Sequence, residues 1–215
     1  MSQPARIGSV CVYAGSSDAA DPALHAAARG LGELLARDGV RLVYGGGGIG
    51  LMGACARAAH AAGGRVLGVM PEFLRQREIL FDQVETIVVR SMHERKMLMF
   101  EESDAFVALP GGIGTLEEVV ELLSWRRLDL HRKPIVFFNP DGFWDQLFGF
   151  LDQTIALNMT PTALASTWRA VETLEAILPA IREMAAAAPE TVPRLMPKNL
   201  SQRGRDGPAP KAAGG

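Results

Sequence analysis

Cysteine is nearly absent, with Cys11 and Cys55 the only two in 215 residues. Two are too few for a disulfide framework and lack metal-ligand spacing, so both are expected to be buried small hydrophobes in a reducing cytoplasm. The four histidines, His25, His60, His93 and His131, form no recognisable ligand set. No metal and no cofactor is expected. An excess of one charge is missing too. Twenty-two Lys and Arg stand against 24 Asp and Glu, so no global field calls for nucleic acid or an anionic membrane. No segment approaches the roughly 18 to 20 apolar residues needed to cross a bilayer. The opening MSQPARIGSV lacks the apolar run of a signal peptide.

What is present is apolar and alternating. Short runs (IGSVCVYAG, VRLVYG, RVLGVM, VETIVV, DAFVALP, KPIVFFN) are separated by longer helical patterns. The runs are continuously apolar, as in strands covered on both faces. Strand-helix alternation with short joints implies right-handed crossovers and a parallel sheet. The expected fold is α/β: a doubly wound, Rossmann-like parallel sheet with helices on both faces. One nucleotide-binding catalytic domain is expected over residues 1–188, ending in WRAVETLEAILPAIREM as a short strand or turn and a last helix. From Pro189 on there are five prolines, four glycines and no aromatic residue. Residues 189–215 are expected to be a disordered tail, because they cannot bury enough to offset their ordering entropy.

In such a sheet ligands bind at the carboxyl edge of the strands, near the point where strand order reverses. The joints facing that edge carry AGSSD with Ser16, GGGGIG with Gly46 and Gly47, PEFLRQREI with Glu78, SMHERK, and PGGIGTLEE. GGGGIGLMG contains G-x-G-x-x-G, a formal dinucleotide fingerprint, but it follows the second strand and matches by glycine content alone. A tight turn, a phosphate-contacting loop and an NAD site all stay open for it. GGIGT is better placed. It joins a buried strand to a helix, where free N–H groups and the positive end of the dipole converge on an anion. Gly111, Gly112 and Gly114 would leave room for that anion or supply positive φ, and Thr115 would cap the helix or bond a phosphate oxygen.

Two helix faces complete the constellation. On the helix after GGIG, Leu116, Val119, Val120 and Leu123 are expected to face the sheet. Glu118 would then lie nearly opposite, with Glu121, Leu122 and Trp125, on a face suited to a second subunit. In SMHERKMLM, Met92, Arg95, Lys96 and Met99 share a face: either a methionine stripe flanked by solvated cations, or cations that hold phosphate or orient Glu118. His93 is a weaker candidate for a general base.

PGGIGTLEE matches P-G-G-x-G-T-x-x-E, and SMHERK carries the Arg-Lys element upstream of it. With VCVYAGSSD, LVYGGGGIGLMG, GVMPEFLRQREI and HRKPIVFFN, the chain from about Ile7 to Leu178 resembles the LONELY GUY (LOG) proteins. These are cytokinin riboside 5′-monophosphate phosphoribohydrolases, long mislabelled as lysine decarboxylases. The resemblance implies hydrolysis of the N-glycosidic bond of AMP-like nucleotides and a homodimer or higher oligomer with sites near the interface. It implies Arg95 and Glu118 as the catalytic pair, with Arg95 holding Glu118 ionised or neutralising phosphate. Glu78, Met92, Lys96, Gly111, Gly112, Gly114, Thr115 and Glu117 become substrate contacts, with Ser16, Gly46 and Gly47. Ala14 stands where the family commonly has Cys, Ile113 where it often has Tyr, and the loop between Glu78 and Arg95 is a residue shorter than in plant members. The choice of base stays open. The alternative is a carrier for a nucleotide or the molybdenum cofactor, which binds without turnover.

Overall fold

A computed structural model describes residues 7–75 and 81–188. Its seven strands are β1 (Ser9–Tyr13), β2 (Arg41–Tyr44), β3 (Val66–Pro71), β4 (Glu85–Val89), β5 (Ala105–Ala108), β6 (Ile135–Phe138) and β7 (Arg169–Val171). They form one parallel sheet in the order β4-β3-β2-β1-β5-β6-β7. Central β1 pairs on both sides, Cys11 opposite Val43 of β2 and Phe106 of β5. The helices are α1 (Pro22–Arg37), α2 (Gly50–Ala61), the single-turn α3 (Glu72–Arg75), α4 (Met92–Glu101), α5 (Ile113–Arg127), α6 (Asp145–Ala156) and α7 (Ile177–Ala187). The doubly wound parallel architecture is as expected.

Strand order dictates where the chain must open. From β1 it winds outward through β2, β3 and β4, then returns to β5 and winds the other way. Right-handed crossovers therefore put α1 and α2 on one face and α4, α5 and α6 on the other. Two core layers reflect this division. Val10, Val12 and Leu42 pack with α1, α2 and α7, while Cys11, Tyr13 and Phe106 pack with α4, α5 and α6. The loops after β1 and β5 leave toward opposite faces and part at the carboxyl edge.

Small residues let α1 and α2 approach closely. Any side chain at Gly32 would run into the carbonyl of Cys55. This explains the glycine and alanine content of α2, whose Gly53, Ala54, Ala56 and Ala59 are all buried. Helix α6 starts at Asp145, after a 3-10 turn at Pro140–Gly142. The Asn139 side chain accepts the Trp144 N–H at 2.6 Å and holds the preceding residues in a 3-10 turn.

The helical phase expected for α5 is corrected. Val120 is exposed, whereas Leu122 is buried with Thr115, Val119 and Leu123. Trp125 packs edge-on against Phe100 of α4, with ring centroids 5.3 Å apart. The face with Glu118, Glu121 and Trp125 thus meets α4 of the same chain. Continuous burial also fails at β4, an edge strand with two exposed positions. Glu78 and the proposed tail at 189–215 lie outside the described residues. Among the described residues no helix is long and apolar enough to cross a membrane.

Phe137 of β6 is fully buried and meets Trp144 and Phe148 edge-on at 5.3 and 5.1 Å. Phe137→Ala leaves a cavity that these rigid rings cannot fill, so urea unfolding should show a loss of about 3–5 kcal/mol. A loss below about 1 kcal/mol would contradict this packing.

Candidate active site

Three loops close the floor of the gap. The Gly15 N–H donates to the Pro110 carbonyl at 3.2 Å, and the Met52 N–H donates to the Gly15 carbonyl at 3.2 Å. A Cβ on Gly15 would stand 3.2 Å from the Gly111 Cα, so the β1 and β5 loops meet backbone to backbone. Between them lies a cavity of about 300 Å³. Ser16 and the glycine-led start of α5, Gly112 to Thr115, form one wall; Val12, Ala14, Met52 and Met99 form an apolar one. Arg95 and Glu118 reach in from α4 and α5.

The two glycine-rich helix starts differ in what is left unbonded. At α2 the Gly50 N–H is taken by the Asp18 carboxylate at 2.7 Å, and the side chain of Arg57 contacts the Gly48 carbonyl. Gly46 has φ +83° and packs against Met70 of β3; neither it nor Gly47 lines the cavity. The G-x-G-x-x-G run is thus a packing turn whose helix is already capped by an anion. At α5 the N-cap is Gly112, with no side-chain cap, so among the described residues the first-turn N–H groups stay open. Thr115 does not cap the helix, and none of Gly111, Gly112 and Gly114 takes a positive φ. Their glycine requirement is spatial. A side chain at Gly111 would collide with Thr115, whereas at Gly112 and Gly114 a Cβ would project into open space. A bare helix start with open space before it suits an anion.

Arg95 is buried, and its guanidinium fills the space that a Gly45 side chain would occupy. One end donates to the Gly45 carbonyl at 3.3 Å and the other lies 3.8 Å from the Met92 sulfur. Met92 therefore backs Arg95 and does not line the cavity. Arg95 Nη2 stands 3.8 Å from Glu118 Oε1, and both side chains are about nine-tenths buried (10% and 11% exposed). The spacing is that of an ion pair beyond hydrogen-bond reach. The Arg95 Nε is buried and has no partner among the described residues.

Burial pushes the Glu118 carboxyl up to about 7; Arg95 opposes this, Glu117 adds to it, Lys96 opposes it and Glu121 adds to it. Arg95 favours the ionised form of Glu118, and desolvation outweighs the guanidinium. A carboxyl poised near neutrality inside a cavity can take and return a proton. Lys96 is bonded to Glu117 at 2.6 Å and Glu121 at 3.0 Å and, like Glu117, does not line the cavity. His93 is exposed at the start of α4, outside it. Sequence reasoning passed over Met52, Gly45 and Gly15, which line the cavity, and Asp18, which caps α2 outside it, and treated Met99 as part of a helix stripe. Asp18 had a legible signal, a carboxylate after Ser-Ser facing a glycine-led helix. Among the described residues no group of three or more His, Cys, Asp or Glu could hold a metal ion.

The folded carboxyl of Glu118 holds its proton more tightly than an unfolded one. Glu118 therefore costs stability above about pH 7 and nothing below about 4.5. Glu118→Gln should gain roughly 1–3 kcal/mol at pH 8 in urea unfolding, and close to nothing at pH 4.5. An equal effect at both pH values would contradict the buried, poised carboxyl.

A family model described as possible lysine decarboxylase matches residues 52–181. A probable cytokinin riboside 5′-monophosphate phosphoribohydrolase of Oryza sativa subsp. japonica is 46% identical over 70% of this chain and 61% of its own length. The chain thus spans under two thirds of that relative. A cytokinin riboside 5′-monophosphate phosphoribohydrolase of Arabidopsis thaliana is 44% identical over 70% of this chain and 71% of its own. Among solved structures, the molybdenum cofactor binding protein of Rippkaea orientalis superposes with TM-score 0.63 at 26% identity, covering 84% of this chain and 98% of that one. The Moco carrier protein of Chlamydomonas reinhardtii gives 0.64 at 23%, over 85% and 100%, a likeness of fold alone. The chain belongs to the LONELY GUY family of cytokinin riboside 5′-monophosphate phosphoribohydrolases, the one that model describes as possible lysine decarboxylases.

Proposed function

We propose that this protein hydrolyses the N-glycosidic bond of adenosine 5′-monophosphates, plain or N6-modified, releasing free base and ribose 5-phosphate. One observation carries the reading: a buried Arg95–Glu118 pair faces a cavity that also holds the open N-terminus of α5. The 5′-phosphate sits on the N–H groups that open α5, where a charge-assisted bond to backbone is strongest. That remote anchor fixes the ribose for attack. The apolar wall of Val12, Ala14, Met52 and Met99 takes the less polar part of the nucleotide.

The chemistry follows from charge. As the bond between C1′ and the base nitrogen stretches, positive charge develops on the ribose and the electron pair leaves with the base. Ionised Glu118 stabilises that charge and takes a proton from the water that attacks C1′. The same proton returns to the departing base, which balances the reaction. Arg95 sits 3.8 Å from Glu118 and orients it without a bond that would hold its proton away. A carrier of phosphorylated cofactor would use the same helix start, but would have no need of a poised carboxyl there.

A homodimer belongs to the same reading, on a surface other than the one expected from sequence. Ile113 (82% exposed) stands at the cavity and Val120 two turns along α5. A partner covering both would shield the mouth from water.

Incubation with AMP and with N6-isopentenyl-AMP should release base and ribose 5-phosphate. Glu118→Gln and Arg95→Ala should each lose about 10²–10⁴-fold in kcat/KM while keeping the far-ultraviolet dichroism of the parent. Binding without product would convert the reading to a carrier, and parental rates in both variants would refute it. Sedimentation equilibrium should give a dimer that Val120→Asp weakens, whereas a monomeric parent would remove the interface.

A further inference from the structure

Lys96 follows Arg95 on α4 and points at α5. Its ammonium lies 2.6 Å from Glu117 and 3.0 Å from Glu121, and its side chain is only 12% exposed. The two carboxylates bracket Glu118, one position before it and three after. An ammonium has three donors, and two of these are committed to α5. Lys96 does not line the cavity, so its reach toward a bound phosphate is already spent.

Three carboxylates within two turns would repel one another strongly, and most strongly for the one that is buried. The groups facing Glu118 come from three elements. Helix α4 gives Arg95 and Lys96, and α5 itself gives Glu117 and Glu121. Strand β1 gives Cys11 and Tyr13, which burial keeps in their neutral forms. Among the described residues, no cation other than Lys96 is ion-paired to Glu117 or Glu121. Burial weakens the Lys96 ammonium, but its hydrogen bonds to Glu117 and Glu121 prevail and hold it charged more firmly than an ordinary lysine. Its charge is therefore a fixed part of the site over the working pH range.

Resting on the hydrolase reading, we propose that Lys96 is a positioning residue: by pairing with Glu117 and Glu121 it lets the buried Glu118 ionise. Its contribution to turnover passes through Glu118 and not through the substrate. The sign is fixed by charge. Without Lys96, two uncompensated carboxylates disfavour ionised Glu118, so the acid limb of the pH–rate profile moves to higher pH. Removing one of the carboxylates moves it to lower pH.

The test pairs kinetics with a readout independent of turnover. Parent, Lys96→Met, Lys96→Arg and Glu121→Gln are compared by the pH profile of kcat/KM for AMP. The midpoint of the Glu118 side-chain carbonyl resonance is followed alongside, in carbon-13 glutamate-labelled protein, assigned by its loss in Glu118→Gln. Lys96→Met should raise both the acid limb and the midpoint by about half a pH unit or more, with KM above the limb changing less than about threefold. Lys96→Arg should restore the parental midpoint, and Glu121→Gln should lower it. The last variant keeps the lysine and answers the question should Lys96→Met fail to fold. A midpoint unmoved in Lys96→Met and Glu121→Gln overturns the proposal. So does a KM raised tenfold or more in Lys96→Met with the limb in place, which would make Lys96 a phosphate contact. If no variant and no parent hydrolyses AMP, the hydrolase reading fails, and the resonance midpoints still decide the role of Lys96.

Discussion

A carboxyl buried beside a guanidinium is the arrangement on which the rest of this molecule depends. Burying an ion is costly unless it is paired. Here the pairing of Glu118 with Arg95 is loose, at 3.8 Å, and burial wins, raising the carboxyl to about 7. The looseness has a structural origin. The guanidinium is pinned from behind by the Gly45 carbonyl and occupies the place of the Gly45 side chain. A residue of any other type at the end of β2 would push Arg95 into the cavity. The glycine run thus makes room for a cation beside the cavity.

The two helix starts show how one composition serves two ends. Helix α2 brings its own anion, Asp18, and is closed; α5 brings none and is open. Both lie at the same sheet edge and both follow glycines. A cradle can be told from a cap only by asking which N–H groups are already bonded. That distinction singles out α5, over the β1–β5 gap where the winding reverses and beside Glu118, as the helix start free to take an anion. Fold and chemistry meet there because strand order leaves that gap open.

Much of this was legible in the sequence. Continuous apolar runs gave the parallel sheet, because a strand buried on both faces has no polar side to alternate. PGGIGT marked the open helix start, because glycines remove the side chains that would fill it. A role for Arg95 beside Glu118 was one of two readings of the residues, and resemblance alone singled out the pair, since nothing in their spacing shows that two helices far apart in sequence pack side by side. The phase of α5 was misread for a physical reason. This helix packs on the sheet through Val119 and Leu123 and on α4 through Leu122 and Trp125. Its apolar residues therefore follow no single stripe, and Val120 looked as buried as its neighbours. The pairing of Lys96 with Glu117 and Glu121 was hidden in the same way, because these partners belong to another helix.

The most direct test is a crystal structure of Glu118→Gln with AMP bound. The account predicts the phosphate on the N–H groups of Ile113 to Thr115, with C1′ of the ribose between Arg95 and the residue at 118. Phosphate seated instead at Gly46 to Gly50, or a ribose turned away from residue 118, would contradict it.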